Sequence, residues 1–600
     1  IADTFTKIKG NHTFKFGGRW ERAGQNDFDQ INVTGVPGGT NNQNGRFVYT
    51  DGRPGGTGIA VGNAALGLFS SYAEIGPRAY TPYRGEMYEW FAQDSWKVTP
   101  KLRLELGVRW SFVQPYFWSL WRNMSVFDPN RYDPSKAVVQ DPKTGNILSG
   151  DRFNGVAIPG TGWTDGAAGR FPAADSGEFD RLFTGGSKTW GQNQYTNFQP
   201  RIGIAYRLGD KTVLRSGVGR FMARPGVADN IFLGGNPPFQ PMVSIDNGLA
   251  DNPGAGEATG FPQFFMTSDP VYKIPSSWNW NFTVQREIGF NTTVEVGYVG
   301  RVGLHMERVR DINQLQPGTV QANPGINPNA LRPFKGFAAI NLGENAARSK
   351  YNGLQISVNR RFSQGLLFGV AYTLAENKDN ASDRRHQIYN NFDDRNFWGW
   401  ARDDTRHVMV ANFVYDLPIF RDTSRVSGKL LGGWQVSGIL QFQTGTPPER
   451  SGRCGCIGTT DDFAGIGVRQ AVPWEVSGDP VLPSGEQAFS SGAADDNFFF
   501  RTTDGSGNDL FTPPAPGTFS RTQTRNSLMH GPGFQSWNFG LFKTFAIQER
   551  HKVQFRAEFY NLPNHPNWNQ VNANATSSTF GKVTGKSNNR NIQLSLRYSF

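Results

Sequence analysis

The ten residues NIQLSLRYSF that close the chain alternate without a break: Ile592, Leu594, Leu596, Tyr598 and Phe600 at even positions, Asn591, Gln593, Ser595, Arg597 and Ser599 at odd ones. A strand rises about 3.4 Å per residue and sends successive side chains to opposite faces, so the segment is a strand about 34 Å long with one apolar and one polar stripe. About 9 to 11 tilted strand residues cross a bilayer when apolar side chains meet lipid and polar ones meet a lumen. Tyr598 and Phe600 then fall in an interfacial aromatic girdle.

The same period of two recurs along the chain. LRLELGVRW puts Leu102, Leu104, Leu106, Val108 and Trp110 on one face, WNWNFTVQ does so with Trp278, Trp280, Phe282 and Val284, and VQFRAEF with Val553, Phe555, Ala557 and Phe559. The 72 glycines, 13% aromatic residues and mean hydropathy of -0.50 accompany no run of about 18 apolar residues, which excludes helical membrane spans. A β-barrel keeps such a low average because only every second strand residue meets lipid.

Alternation alone also suits a soluble sandwich, and the connections decide between them. The pattern places strands near residues 3–8, 12–22, 87–98, 101–113, 197–207, 211–221, 276–289, 291–301, 351–363, 365–375, 405–416, 432–444, 534–546, 551–561 and 590–600. Short connections (9–11, 99–100, 208–210, 290, 364, the longer 417–431, and 547–550) alternate with long ones (23–86, 114–196, 222–275, 302–350, 376–404, 445–533 and 562–589). All tight turns therefore share one rim and all long loops the other, the asymmetry of outer-membrane barrels with short periplasmic turns and long extracellular loops. A propeller would show a recurring repeat of about 40 to 45 residues, which is absent.

The net charge of +11 is spread along the chain without a basic stripe, which argues against nucleic-acid binding. Cys454 and Cys456 form a C-x-C pair in a long loop, and the seven histidines are too scattered to complete a zinc site. No zincin helix motif, phosphate-binding loop or nucleophile elbow is present, so no enzyme activity and no cofactor is expected. TDGSGND sets Asp504, Ser506 and Asn508 at calcium-loop spacing, yet Asp509 stands where glycine is needed and Ala515 where glutamate is.

The segments FAQDSWKVTPKLRLELGVRW, NFQPRIGIAYRL, YNGLQISVNRRFSQGLLFGVAYTLA, GGWQVSGILQFQTGTP, VQFRAEFYNLPNHPNW and the terminal IQLSLRYSF resemble the barrel of TonB-dependent outer-membrane receptors, and most closely the large Oar-like receptors. The resemblance implies a plugged barrel of about 22 strands in the outer membrane of a Gram-negative-type bacterium, importing a bulky substrate. It implies as partners the TonB complex, reached through an amino-terminal part, the barrel-assembly machinery, and outer-membrane lipid and lipopolysaccharide. The sequence carries about fifteen strands and neither plug nor TonB-contacting segment, and it opens without an initiator Met or signal core. The expectation is thus the carboxy-terminal part of such a barrel, about seven strands short and unable to close alone. A passive porin-like channel and a surface adhesion or assembly protein anchored by the barrel are the alternatives. Siderophore, glycan, peptide and exported protein all remain open as substrates.

Within DRRHQIYNNFDDRNFWGWARDDTRH, the residues Arg384, Arg385, Arg395, Trp398 and Trp400 are candidates for contacting a ligand or lipopolysaccharide phosphates at the barrel mouth, against a reading as a solvated loop with internal ion pairs. Arg103, Arg556 and Arg597 face the lumen by parity. Leu596, Tyr598 and Phe600 resemble the aromatic-ended signal read by the barrel-assembly machinery. Cys454 and Cys456 are expected to be exposed on the outer side of loop 445–533.

Overall fold

The computed structural model describes all residues except 28–45, 76–78, 115–116, 225, 227–232, 240–241, 253–256, 259, 261, 384–385, 421–424, 450–455, 468–470, 488, 490–497, 523–527, 548–550 and 588. Fifteen long strands make one sheet. They are β1 (Ala2–Lys9), β2 (His12–Asp27), β3 (Thr81–Lys97), β4 (Leu102–Val113), β5 (Phe198–Gly209), β6 (Thr212–Met222), β7 (Ser276–Gly289), β8 (Thr292–Asp311), β9 (Phe337–Ser363), β10 (Leu366–Asp379), β11 (His407–Asp416), β12 (Trp434–Gln443), β13 (Phe534–Ala546), β14 (Lys552–Tyr560) and β15 (Asn591–Ser599). Each pairs antiparallel with the next in sequence. Among the described residues no ladder joins β1 to β15, so the sheet is an open meander with two free edges.

Period-two patterning explains why every expected strand forms, and turn chemistry fixes the short rim. Gly10, Phe290, Asn291, Gln364 and Gly365 all adopt positive φ. Positive φ at both central residues is what a two-residue hairpin of matching twist requires. Several strands outrun the sequence expectation. β8 and β9 stay paired to Asp311↔Asn341 after irregularities between Gly303 and Met306 and between Met306 and Arg308. Bulges shift the alternation, so the extension does not read as strand; part of the expected loop 302–350 is therefore a two-stranded arm above the sheet.

Side chains segregate as parity requires. Leu596 is 73% exposed, and Ile592, Leu594, Leu106, Val108, Ile202, Phe282 and Val296 share its outward face. Such a band would be an aggregation surface in water and is satisfied in a bilayer. On the inward face Glu89 accepts from Arg109 at 3.0 Å and from Ser111 at 2.8 Å, while Arg103 bonds Glu105 at 2.7 Å. Glycines lie under cross-strand aromatic rings: a Cβ on Gly300 would meet the Trp280 indole at 2.2 Å, and one on Gly438 the Phe413 ring at 2.4 Å. The ring covers backbone that the glycine leaves bare.

The hydrophobic cores are built mainly from the connections expected to be long loops, joined by residues at the loop-side ends of strands such as Tyr83 and Met87. Phe127, Ile158, Leu182, Phe265, Phe337 and Ile340 cluster from three of these connections, and Ile457, Phe500, Phe511, Val571 and Val583 from two others. Short ladders tie the layer together, as where Ser71–Ile75 pairs with Met242–Asp246.

Candidate functional site

The long-connection rim is a folded cap. Its most strongly built polar part hangs from the β8–β9 arm, where Arg308 and Arg310 sit two residues apart in the strand. Arg308 Nε donates to Glu344 at 2.7 Å and its Nη2 to Asp394, while Arg310 Nη2 donates to Glu344 at 3.0 Å. Arg308 is 2% exposed while its acidic partners are only partly buried, so its desolvated guanidinium fixes the segment around Asp394 against the arm. Beside it Asp311 and Arg332 pair at 3.2 Å, both nearly fully buried. Burial pushes the Asp311 carboxyl above its ordinary value, opposed by Arg332 and by the N–H groups of Asn313 and Ile340.

The segment 383–407 is anchored through its apolar members. Ile388, Tyr389 and Phe397 are buried with Val472. Arg395 stays exposed and grips Asp393 with Nε at 2.8 Å and Nη2 at 2.6 Å. Those hydrogen bonds hold the Asp393 carboxyl down at about 2. Trp398 is half-buried. Trp400 pairs with Lys378 at the end of β10 and packs its ring 4.3 Å from that of His530, which bonds Asp404 at 2.7 Å. The structure thus brings Trp400 to His530, leaves Arg395 facing solvent with its own acidic partner, and Arg384 and Arg385 lie outside the described residues.

An open cavity of about 720 Å³ lies near this point, lined by Tyr372, His407, Met409, Phe442, His530 and Trp568. Tyr372, Met409 and Phe442 belong to the outward register, so it opens toward the side of the sheet. A second, of about 600 Å³, lies on the inward wall among Lys15, Ser95, Arg103, Glu105, Arg201 and Asn281. Gly107, Gly203, Gly217 and Gly219 form its floor, which makes the wall shallow between charged side chains. This inward surface is what a solute in the lumen would meet. Arg556 also faces inward and donates to Glu558 at 3.0 Å, and Arg597 occupies the inward register of β15.

One expectation changes. Cys456 is disulfide-bonded and 1% exposed, packed with Ala471, so it is not a thiol on the loop surface; Cys454 lies outside the described residues. A small thiol or disulfide sulfur behaves as an apolar atom, which is why it enters a core. Asp504 spends its carboxylate on its own loop, accepting from the N–H groups of Ser506 and Asn508 at 2.8 Å each. Among the described residues no group of three His, Cys, Asp or Glu side chains is placed to hold a metal ion.

The network of the buried Arg308 with Glu344 and Asp394, and the Asp311–Arg332 pair, were not anticipated. Their signal is faint: Arg308 and Arg310 at i and i+2 share a strand face, but nothing local marks that face as buried. Lys543 was missed too. It interrupts the outward stripe of NFGLFKTF and is 2% exposed.

A sequence-family model for the outer membrane beta barrel domain matches residues 1–593. Among solved structures, the chain is similar to a mutant ferric enterobactin receptor from Pseudomonas aeruginosa in complex with enterobactin, at 11% identity and TM-score 0.44, covering 100% of this chain and 53% of that one. The siderophore receptor PirA from Acinetobacter baumannii matches at 11% identity and TM-score 0.40, covering 100% and 54%. The FrpB iron transporter from Neisseria meningitidis matches at 8% identity and TM-score 0.40, covering 100% and 55%. The chain thus spans about half the length of these chains. No curated protein matches it.

Proposed function

Since the chain belongs to the outer membrane beta barrel domain family, we propose that it is the carboxy-terminal barrel part of a TonB-dependent, Oar-like receptor that imports a bulky substrate, its plug and amino-terminal domain being supplied by a longer protein. The observation carrying the proposal is the pairing of a charged inward wall with a folded cap on a single rim. Arg103, Glu105 and Arg201 line the lumen below, and the Arg308–Glu344–Asp394 network, built on the buried Arg308, holds the cap above it.

In this reading the long loops face outside and capture substrate. Arg395, Trp398 and Trp400 border the mouth, where guanidinium groups and indole rings suit a ligand or lipopolysaccharide phosphates, and Arg384 and Arg385 of the same sequence segment are candidates for the same role. The inward arginines pair with plug carboxylates until the TonB complex draws the plug aside. Leu596, Tyr598 and Phe600 serve insertion by the barrel-assembly machinery. Aromatic cores such as Phe127, Phe265 and Phe337 support a capture surface better than flexible tethers would, because a preorganised loop loses less entropy on binding.

Planar-bilayer recording of the full-length protein separates gating from passive flow. A plugged receptor carries no steady current until denaturant loosens the plug. A constant open-channel current from the untreated protein would replace this reading with a porin.

A further inference from the structure

The connection between β11 and β12, residues 417–433, stands out on the short-turn rim by its length and by its polarity. It contains a six-residue helix, α1 (Val426–Leu431), whose buried residue is Gly428. With 3.6 residues per turn, Val426 and Leu430 share the face opposite Gly428. They are 71% and 58% exposed, with exposed Leu431, Ile419 and Phe420 nearby. A helix on a wetted surface turns its apolar stripe inward; this one turns glycine inward and its aliphatic side chains away.

Lys543 on β13 explains where the turn sits. Its ladder partners are Trp434 and Phe555, and Phe555 faces Leu596, so its side chain leaves the sheet on the outward side. An ammonium there would be costly in lipid. Instead Nζ donates to the carbonyls of Leu430 at 2.7 Å and Gly432 at 2.5 Å, and lies 4.8 Å from the Phe545 ring centroid. A Cβ on Gly432 would stand 2.2 Å from the Phe420 carbonyl oxygen, so glycine permits the close fold of the turn. The turn thus bends up over the outer face of the wall, caps the lysine, and continues the apolar band of Phe545, Phe555 and Leu596.

We infer that the described part of this connection, residues 417–420 and 425–433, forms an interfacial ledge seated in the phospholipid leaflet on the periplasmic side. Val426 and Leu430 enter the acyl region, and the exposed flanking Lys429 extends toward lipid phosphates. Lys543 is the positioning residue that locks the ledge to the wall.

The test places one spin label at a time in the full-length protein, through Val426→Cys, Leu430→Cys or Asp210→Cys. The proteins are reconstituted in vesicles of phosphatidylethanolamine and phosphatidylglycerol, with the described native cysteine engaged in its disulfide. Asp210 lies in the tight β5–β6 turn on the same rim and serves as the aqueous reference. The ratio of oxygen to nickel-chelate collision rates should be several-fold higher at 426 and 430 than at 210. Adding Lys543→Ala should lower that ratio at 430 while leaving 210 unchanged. A ratio at either helix position equal to that at 210 would overturn the inference and leave the stripe facing water or a periplasmic protein.

Discussion

An arginine introduced on one side of β15 or the other meets two different solvents, and the structure allows the difference to be sized. Ser595 is the middle residue of Asn591–Ser599, and Leu596 is its neighbour. At a rise of about 3.4 Å and a tilt of about 40°, one residue moves roughly 2.6 Å along the membrane normal, so both positions are near the midplane. Leu596→Arg therefore costs about 2 to 4 kcal/mol. Lys543 adds to this, because it stands two strands away through Phe555, about 10 Å off. Ser595→Arg points inward, opposite Arg556, and a like charge directly across a ladder costs about 0.2 to 1 kcal/mol. Gln593→Arg faces Glu558 instead and should cost nothing. The order of loss is thus 596 far above 595, and 595 above 593. The gap between 596 and 595 is at least about 1 kcal/mol, or roughly 5-fold in the folded-to-unfolded ratio. Denaturant titration of the full-length protein in vesicles, followed by heat-modifiable gel migration, reads that order. Equal midpoints for the arginines at 595 and 596 would refute the assignment of the two faces.

Asp311→Asn leaves Arg332 buried without its counter-charge and should loosen the cap by about 3 to 5 kcal/mol, seen as new proteolytic cleavage in residues 312–336 while heat-modifiability persists. Gly300→Ala drives a methyl into the Trp280 ring and should cost about 1 to 3 kcal/mol, accompanied by a change in tryptophan emission. Removing Phe600 from the full-length protein should lower the amount assembled; normal insertion rates after Phe600→Ala would reduce the residue to a girdle anchor. Acidification should leave the Arg395–Asp393 contact intact through the ordinary carboxylate range. The folded carboxyl is depressed, so the contact is lost only as pH falls through about 2, and the accessibility of a label beside Arg395 reports the release.

Fifteen strands could be read in advance because lipid on one face and water on the other impose a period of two that each strand writes into its own residues. LRLELGVRW needs no partner to declare itself. The β8–β9 arm escaped because it leaves the bilayer: past the irregular pairing at Gly303 and Met306, Arg308 is buried among acids and no apolar stripe survives. The cap escaped for a different reason. Phe127, Phe265 and Phe337 come from three separate connections, and no spacing along the chain announces that they meet. Lys543 looked like a flaw in a stripe, and only the fold of a distant turn over it supplies its partners. Of the candidate mouth residues, Trp400 has its place set by the ladder with Lys378 and the His530 ring, contacts that depend on residues far away in sequence. Cys456 was misplaced because burial of a loop residue is decided by the cap's tertiary packing.

The proposed function, energy-coupled import through a capped barrel, is read by following depletion of solutes from the medium by cells carrying the full-length protein, with TonB present or deleted. At least one bulky solute should be taken up only with both the protein and TonB, while adhesion of the cells is unchanged by loss of TonB. Uptake that persists without TonB, or adhesion that depends on the protein with no solute depleted, would contradict it.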